Sequence, residues 1–371
     1  MSKGGSLAGT RPRIAVLGSH CALEVAAGAK AYGFQNLVIT QKGREKTYSQ
    51  YFLARDNLGC VDQTLELEKF SDIVKSDVIK KLNEVFTIFV PNRSFETYLN
   101  YDYQTIEKKF KVPIFGNRFL LSLEERGQKP NQYDLLDEAQ IERPKVFKSA
   151  AEIDRLVLVK AMYQSDHGLE RFFFFATSPI DFKAKTQDLI VKKKITKENL
   201  EKAAIEEYLP GVQVNFNFFY SPIVGRLELL GTDMRRQTNL EGIVRLPADV
   251  QSQVLKSQGL QFEEAGHIAV TVLESFLEPA FALGEKFVKA SRKFDKKGIL
   301  GPFALQAMIT PGKPRIKIIV FDVSPRIPGS PAIAATPYSR YLFGRSMTMG
   351  ERIALEIEKA TTAGKIDDIT T

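Results

Sequence analysis

The stretch Arg13–His20, with the sequence RIAVLGSH, decides how the chain begins to fold. Its apolar run ends in glycine, serine and histidine, and apolar residues at helical spacing follow from Leu23 to Tyr32, before a second apolar run at Leu37–Thr40. This order predicts a strand, a helix and a second strand. Further apolar runs at Val85–Val90 and Val112–Phe115 also end in polar loops. Such alternation predicts a parallel, doubly wound sheet, whose ligands bind beyond the carboxyl ends of its strands.

Polar side chains occupy the loops at these predicted strand ends, and they are His20, Ser94 and Asn117. His20 follows a glycine at the start of a predicted helix, a position suited to a phosphate or carboxylate ligand. The alternative is a surface histidine that caps the helix.

The rest of the chain predicts two further regions, each with its own strands and helices. After a short helical stretch from Asp134, the strands predicted in the middle region are Leu156–Lys160, Phe172–Phe175 and Ile205–Leu209, with a polar loop between the first two. In the last region, apolar and polar residues alternate over Val212–Phe218, and Arg226–Gly231 is predicted as the antiparallel neighbour. The remaining predicted elements are a helix at Val272–Phe294, strands at Phe303–Ile309 and Ile316–Val323, and a helix at Met349–Thr361.

The predicted fold class is therefore α/β combined with α+β. We expect a flexible tail at residues 1–11, an N-terminal α/β domain at 12–130, a small subdomain at 131–210 and a C-terminal subdomain at 211–371. A chain of 371 residues is longer than one hydrophobic core usually serves, which agrees with several packed units.

Composition excludes several classes of protein. The apolar content of 44% and the charged content of 26% are those of a globular protein, and no run is long enough for a membrane span. The formal charge of +8 is dispersed along the chain, so we expect phosphorylated small molecules as ligands rather than nucleic acid or a membrane surface. The two cysteines and the absence of a leader pattern predict a cytoplasmic protein.

Two late strands carry the candidate metal ligands Gln306 and Asp322. Each polar side chain lies among apolar neighbours and needs a partner in the core. A carboxylate and an amide oxygen suit Mg²⁺ or Mn²⁺, with phosphates and water completing the shell. The alternative is a pair of core side chains that hydrogen-bond to their neighbours or to Arg326.

Lys160 and the run Glu206–Leu209 are the candidate nucleotide-binding residues. The Lys160 ammonium, at the end of its predicted strand, would reach a phosphate from the wall of a cleft. In the second run, the backbone would pair with an adenine edge, and Glu206 or Glu207 would accept a hydrogen bond from the ribose or the amino group; Tyr208 and Leu209 complete the strand. A lysine that only faces solvent is the alternative for Lys160.

The order of these pieces, a strand lysine, a Glu-Glu-Tyr strand and then an amide and a carboxylate on late strands, is that of the ATP-grasp layout. The chain resembles the archaeal formate-dependent FAICAR synthetases, with a Rossmann-like N-terminal domain ahead of the ATP-grasp subdomains. The motifs that carry the resemblance are Leu17–His20, Val90–Pro91 with Ser94–Phe95, Val112–Arg118, Ile205–Tyr208, Arg245–Ala248 and Gly301–Phe303.

The resemblance implies a ligase of purine biosynthesis that converts ATP, formate and 5-aminoimidazole-4-carboxamide ribonucleotide (AICAR) to FAICAR, ADP and phosphate through an acyl phosphate. It implies a homo-oligomer and a divalent metal ion. It assigns residues as follows: His20, Ser94, Asn239 and His267 to substrate; Lys160 and Glu206–Leu209 to ATP; Gln306 and Asp322 to the metal; Arg235 and Arg326 to catalysis. His267 stands where the family has an asparagine, and Asp322 replaces a glutamate.

Residues 161–171 depart from the family's glycine-rich phosphate loop. The segment holds one glycine, and Asp166 and Glu170 would repel a triphosphate, whereas Arg171 would attract it. Two alternatives to the formate ligase therefore stay open: a related ligase that uses another acid or amine, and a paralogue that binds nucleotide without catalysis.

Overall fold

The structure is a computed structural model of the 371-residue chain. It describes residues 11–165, 168–201, 203–258, 264–312 and 316–371, and within these the side chains of all but 162–165, 168–172 and 258. In those ranges no helix is long and apolar enough to cross a membrane.

The N-terminal region is built on a parallel four-stranded sheet in the order β3-β2-β1-β4. The strands are β1 (Arg13–Leu17), β2 (Asn36–Gln41), β3 (Gln63–Leu67) and β4 (Thr87–Val90). The helices are α1 (Ala22–Ala31), α2 (Ser76–Asn83), α3 (Arg93–Tyr98) and α4 (Tyr103–Lys108). Helix α5 (Gln132–Glu138) follows, and its Leu135 and Leu136 pack in the core of the C-terminal region. The predicted parallel sheet is confirmed, because β1 pairs in parallel with both β2 and β4.

Two details of this sheet differ from the prediction. The strand β3 has a mostly polar sequence and was not predicted. The predicted strand at Val112–Phe115 is wrong as a full strand, since it makes only single bridges, from Ile114 to Phe89 and from Phe115 to Thr370. Pro113 lies within the segment and has no backbone N–H to donate, which limits the ladder that the segment can form.

The middle region is an antiparallel sheet in the order β5-β8-β6-β7. Its strands are β5 (Val146–Phe147), β6 (Val157–Ser165), β7 (Gly168–Ala176) and β8 (Ala204–Glu207), and its helices are α6 (Pro179–Val191) and α7 (Lys197–Glu201). The prediction of a loop after Lys160 is wrong: β6 continues to Ser165 and pairs with β7 down to Gly168. Nothing in the sequence between Ala161 and Ser165 breaks a strand, since it holds neither glycine nor proline.

The C-terminal region is an antiparallel sheet in the order β11-β10-β9-β12-β13. Its strands are β9 (Val212–Ser221), β10 (Arg226–Gln237), β11 (Glu264–Ala269), β12 (Gly301–Pro311) and β13 (Ile316–Ser324). Its helices are α8 (Leu240–Ile243), α9 (Ala248–Gln258), α10 (Leu277–Ser291), α11 (Tyr338–Phe343), α12 (Met349–Ala363) and α13 (Ile366–Ile369). The predicted strands are all present, and the edge strand β11 was not predicted. The helix predicted from Val272 begins later, at Leu277, because a separate 3₁₀ turn occupies Glu274–Phe276.

Helix α12 fastens the C-terminal region to the N-terminal one. A Cβ atom on Gly28 of α1 would lie 2.1 Å from the Gly350 backbone, so the two helices touch backbone to backbone. Arg352 of α12 is fully buried and donates to Glu228 of β10 and to Glu356. Since an unpaired buried charge is costly, this ion pair and the glycine contact hold the helix in one position. The carboxyl edge of the N-terminal sheet thereby approaches the C-terminal region, where the His20 ring lies against Gly329 and near Glu264 and His267 of β11. We call the space between this edge and the last sheet the cleft.

Candidate functional site

Lys160 lies on β6 and points at a buried carboxylate of the neighbouring strand. Its ammonium donates to Glu206 of β8, and the Tyr133 hydroxyl donates to the other oxygen of the same carboxylate. Burial lowers the pKa of Lys160. Burial alone would raise the pKa of Glu206, but Lys160 and the nearby Arg126 hold it below its usual range. Glu206 is therefore an ionised anchor that fixes the lysine at the cleft wall, whereas a lysine facing only solvent does not match this structure.

Arg126 connects this anchor to the last sheet. Its Nε lies 3.4 Å from Glu206 Oε1, and its Nη2 lies 3.6 Å from Asp322 Oδ1 of β13 while donating to the Phe321 carbonyl at 2.8 Å. Arg126 and Tyr133 were missed by the sequence reasoning, because each acts through partners distant in the chain. We call Lys160, Arg126, Tyr133, Glu206 and Asp322 the nucleotide-side cluster.

Gln306 and Asp322 are direct cross-strand partners on β12 and β13. Residues paired in this way point to the same face, and a bulge follows immediately after Gln306. Gln306 Oε1 accepts from Arg235 Nη2 at 3.1 Å, so the partner is Arg235 rather than Arg326. A carboxylate and an amide oxygen side by side fit a divalent cation that takes its other ligands from phosphate and water. Among the described residues, no group of three or more His, Cys, Asp or Glu could hold a metal by itself.

Glu207, the second residue of the Glu-Glu-Tyr run, faces away from this cluster. Glu207 pairs with Arg155 at 3.0 Å, as expected for alternate residues of a strand. Its backbone N–H donates to the Lys145 carbonyl and that of Tyr208 to the Leu156 carbonyl, at 2.8 and 3.0 Å. Those two N–H groups are thus used within the sheet, and Leu209 is buried beside them. The adenine-binding role of this run stays a prediction.

His20 lies at the carboxyl end of β1 in a left-handed conformation, with φ at 57°. A Cβ atom on Gly329 would come within 2.4 Å of its Nε2, so a larger residue at 329 would displace the ring from its present position. Solvent reaches the imidazole, but cleft walls surround it, and burial together with the positive charge of Arg326 lowers its pKa to about 3. His20 is therefore neutral at physiological pH and able to accept a hydrogen bond.

Ser94 is placed near His20 by the Asn92 side chain. The Asn92 amide donates to the carbonyls of Leu17 and Ser19, which ties the end of β4 to the end of β1. It also caps α3, whose first turn contains Ser94. The two predicted substrate residues thus follow the neighbouring strands β1 and β4, although Ser94 lies in the first turn of α3 and not in a loop as predicted.

His267 reaches the same cleft from the edge strand β11. Its Nδ1 bonds to Asp233, and its Nε2 lies 3.0 Å from Glu264 Oε1. Burial alone would lower the pKa of His267, but these two carboxylates raise it to about 9. Asp233 and Glu264 were not foreseen, because their role depends on the pairing of β10 with an unpredicted strand.

Arg326 is held in a buried network of acidic side chains, and its predicted catalytic role stays a prediction. It is buried, donates to Glu124 Oε1 at 2.7 Å, and its Nε lies 3.4 Å from Glu96 Oε1. Arg93 lies 3.4 Å from the same Glu124 oxygen. The positive charge of Arg326 also contributes to the lowered pKa of His20.

Two other predicted features are only partly placed. Asn239 lies at the start of α8, where its carbonyl accepts from the Ile243 N–H at 2.7 Å. Asp166 and His167 lie outside the described residues, and the Glu170 and Arg171 side chains do as well, although the backbone of both belongs to β7.

Comparison with known proteins identifies the family. One family model, described as a domain of unknown function (DUF1297), matches residues 181–371, and another, described as a protein of unknown function (DUF1246), matches residues 14–147. The 5-formaminoimidazole-4-carboxamide-1-β-D-ribofuranosyl 5'-monophosphate synthetase of Methanopyrus kandleri is 36% identical over 360 residues, which cover 96% of this chain and 94% of the relative. The chain belongs to this synthetase family. The synthetase of Methanocaldococcus jannaschii is 35% identical over the same shares of the two chains.

Solved structures agree with membership in the synthetase family. The IMP biosynthesis protein PurP from Thermococcus kodakaraensis matches with a TM-score of 0.69 and 28% identity, over 96% of this chain and 100% of that chain. An ADP complex of an N5-carboxyaminoimidazole ribonucleotide synthetase matches with a TM-score of 0.58 and 11% identity, over 92% of this chain and 80% of that chain. At that identity the match shows the fold alone. The chain has the ATP-grasp fold, as its sequence predicted.

Proposed function

We propose that the chain is an ATP-dependent ligase that joins formate to the 5-amino group of AICAR. Membership in the synthetase family supports this, and so does the way Arg235 links two parts of the cleft. Arg235 Nη2 donates to Gln306 of the candidate metal pair, and its Nε lies 3.0 Å from Glu264, which is bonded to His267. That continuity carries the proposal, because the reaction needs a phosphoryl donor, an acid and an amine in one cleft.

The chemistry divides into two transfers. A formate oxygen takes the γ-phosphoryl group of ATP, which gives ADP and formyl phosphate. The AICAR amino nitrogen then attacks the formyl carbon, the bond from that carbon to the phosphate oxygen breaks, and the nitrogen loses a proton. Protein groups contribute mainly by positioning the reactants and by stabilising charge.

Side chains of the cleft have distinct roles in these two transfers. Lys160, held by Glu206, stabilises the transferred phosphoryl group, and Arg126 keeps Asp322 in place from behind. A divalent ion, for which we propose Mg²⁺, would be held by Gln306 and Asp322 and would offset phosphate charge. Neutral His20 accepts a hydrogen bond from AICAR, with Ser94 beside it.

Product analysis tests the proposed reaction. We expect ADP, phosphate and a nucleotide carrying one added formyl group in equal amounts, and only when ATP, formate and AICAR are all present. ADP release that needs a different acid would favour a related ligase. Ligand-dependent rises in melting temperature without any turnover would favour a non-catalytic nucleotide-binding protein.

The metal role is tested through Asp322→Asn, with Asp188→Asn as the matched control on the exposed face of α6. Calorimetry should show that Mg²⁺ strengthens ADP binding by the wild type and by the control. It should strengthen binding by Asp322→Asn far less. Equal effects on all three proteins would remove Asp322 from the metal site.

A further inference from the structure

Two nitrogen donors on neighbouring strands converge on the carboxylate of Glu264. Arg235 Nε lies 3.0 Å from Glu264 Oε2, and His267 Nε2 lies 3.0 Å from Glu264 Oε1. One oxygen of a single carboxylate therefore faces each donor. Arg235 and His267 are cross-strand partners on β10 and β11, so their side chains share a face of the sheet.

The His267 ring is fixed from behind by a buried carboxylate. Asp233 is 0% exposed and accepts from Asn215 Nδ2 at 2.9 Å, from Asn217 Nδ2 at 2.6 Å and from His267. Because Asp233 is surrounded by donors, the proton on Nδ1 stays there and the ring orientation is set. Nε2 is thereby directed toward the cleft.

Glu264 differs from the groups that it contacts, because its side chain is 40% exposed whereas that of His267 is 8% exposed. It is also a poorly fitted partner: the buried Arg235 Nε has no hydrogen bond of acceptable geometry, although Glu264 lies close by. Buried donors of this kind normally have a well-aligned acceptor. Arg235 and His267 are thus held in place by the sheet, whereas another carboxylate could replace that of Glu264.

We propose that Arg235 and His267 form the binding site for the carboxylate of the acid substrate, and that Glu264 occupies this site while the acid is absent. The inference rests on the proposed ligase function and specifies where its acid binds. When the carboxylate of the acid replaces that of Glu264, the charge beside Arg235 and His267 stays the same. The Glu264 side chain then only has to rotate into solvent.

The location suits an acid that must meet a phosphoryl group on one side and an amine on the other. Arg235 Nη2 donates to Gln306, next to the nucleotide-side cluster. His20 lies close enough to Glu264 and His267 for their charges to affect its pKa. The proposed site therefore lies between the candidate phosphate region and the candidate AICAR region.

A tethered carboxylate competes with a free one as if it were present at millimolar concentration or more. Removing the competitor should therefore strengthen binding of the free acid. Removing a donor should weaken it, since a charged hydrogen bond is lost. The two changes have opposite signs, which a general loss of structure cannot produce.

The test measures binding of ¹³C-formate to the full-length protein by NMR titration, with acetate as a second probe and with circular dichroism as the check on folding. Glu264→Gln and Glu264→Ala should lower the formate Kd about 5- to 10-fold. His267→Asn, whose amide can still donate to Asp233, should raise it about tenfold. Glu142→Gln is the matched control, since this exposed carboxylate pairs with Lys317 on the outer strand β13.

The possible outcomes distinguish failure of the proposed acid site from failure of the proposed ligase reaction. A folded Glu264→Gln and a folded Glu264→Ala that both bind formate as Glu142→Gln does would overturn the proposed site, whether or not the enzyme formylates AICAR. Absence of binding by either probe to every variant would overturn it as well. Binding of acetate but not formate, with the predicted dependence on Glu264, would support the site and would count against formate as the acid.

Discussion

The nucleotide-side cluster and the Arg235–His267 site use the same residue types in different ways. In the first, Glu206 is 3% exposed and is bonded to Lys160, so the carboxylate is a permanent part of the core. In the second, the carboxylate that faces the donors belongs to the exposed Glu264, and the permanent carboxylate, Asp233, lies behind. The difference teaches that burial decides which acidic group anchors a site and which one a ligand can replace.

The largest effect should come from removing the cation of the nucleotide-side cluster. Lys160→Met should lower turnover by about 100-fold or more, because a phosphate-stabilising donor in a desolvated site is lost. It should leave AICAR affinity nearly unchanged. Turnover assays and AICAR calorimetry check this, with Lys185→Met as the control, since Lys185 is an exposed lysine paired with Asp181 on α6. An equal loss in both measurements would indicate a folding defect instead.

Substitution of the buried Asp233 should lower the stability of the fold, whereas substitution of the exposed Glu264 should not. Asp233→Asn places an amide donor among Asn215, Asn217 and His267, so we expect the free energy of unfolding to fall by about 2–3 kcal/mol. Glu264→Gln should change it by less than about 0.5 kcal/mol, as is usual for an exposed position. Urea denaturation measures both variants. Similar losses for the two would remove the distinction between anchor and exchangeable group.

Substitutions at His20 and at the neighbouring Gly329 should have a smaller effect, limited to the binding of AICAR. His20→Ala should weaken AICAR binding about tenfold while leaving ATP binding unchanged, since one ligand contact is lost. Gly329→Ala should weaken AICAR binding in the same direction, because its Cβ atom would displace the His20 ring. Gly242→Ala is the control, as nothing lies within 4 Å of the added atom. Calorimetry that finds equal losses for ATP and AICAR would assign His20 to folding.

The sequence predicted most of this architecture because local patterns carry it. Alternation of apolar and polar residues located β9, and mostly apolar runs located β12 and β13. Once β12 and β13 pair, the period of two places Gln306 and Asp322 on the same face. The N-terminal sheet followed from alternating strands and helices. These signals need only a few neighbouring residues.

The missing parts depend on contacts between distant residues. Arg126 meets Glu206 and Asp322 across gaps of 80 and 196 positions, which no local pattern records. Glu264 was not recognised because β11 is a short edge strand with a polar first residue, so its sequence resembles a loop. The strand β6 was ended too early because Lys160 was treated as the polar end of an apolar run.

The smallest effect concerns pH, and it distinguishes the His267 site from the nucleotide-side cluster. Burial alone would lower the pKa of His267, but hydrogen bonds to Asp233 and Glu264 raise it to about 9. Among the described residues, Arg235 and His20 are further charged or titratable groups near it. The folded-state pKa is above the ordinary value of 6.5, so the stability and the anion binding that His267 provides are complete below pH 6.5 and are lost as pH rises through 9. Because half of the imidazole is neutral at its pKa, formate should bind about twofold more weakly at pH 9 than at pH 7. His267→Asn should abolish this difference, whereas Lys185→Met should keep it. A formate Kd that does not change between these pH values in the wild type would show that the imidazolium does not contact the acid.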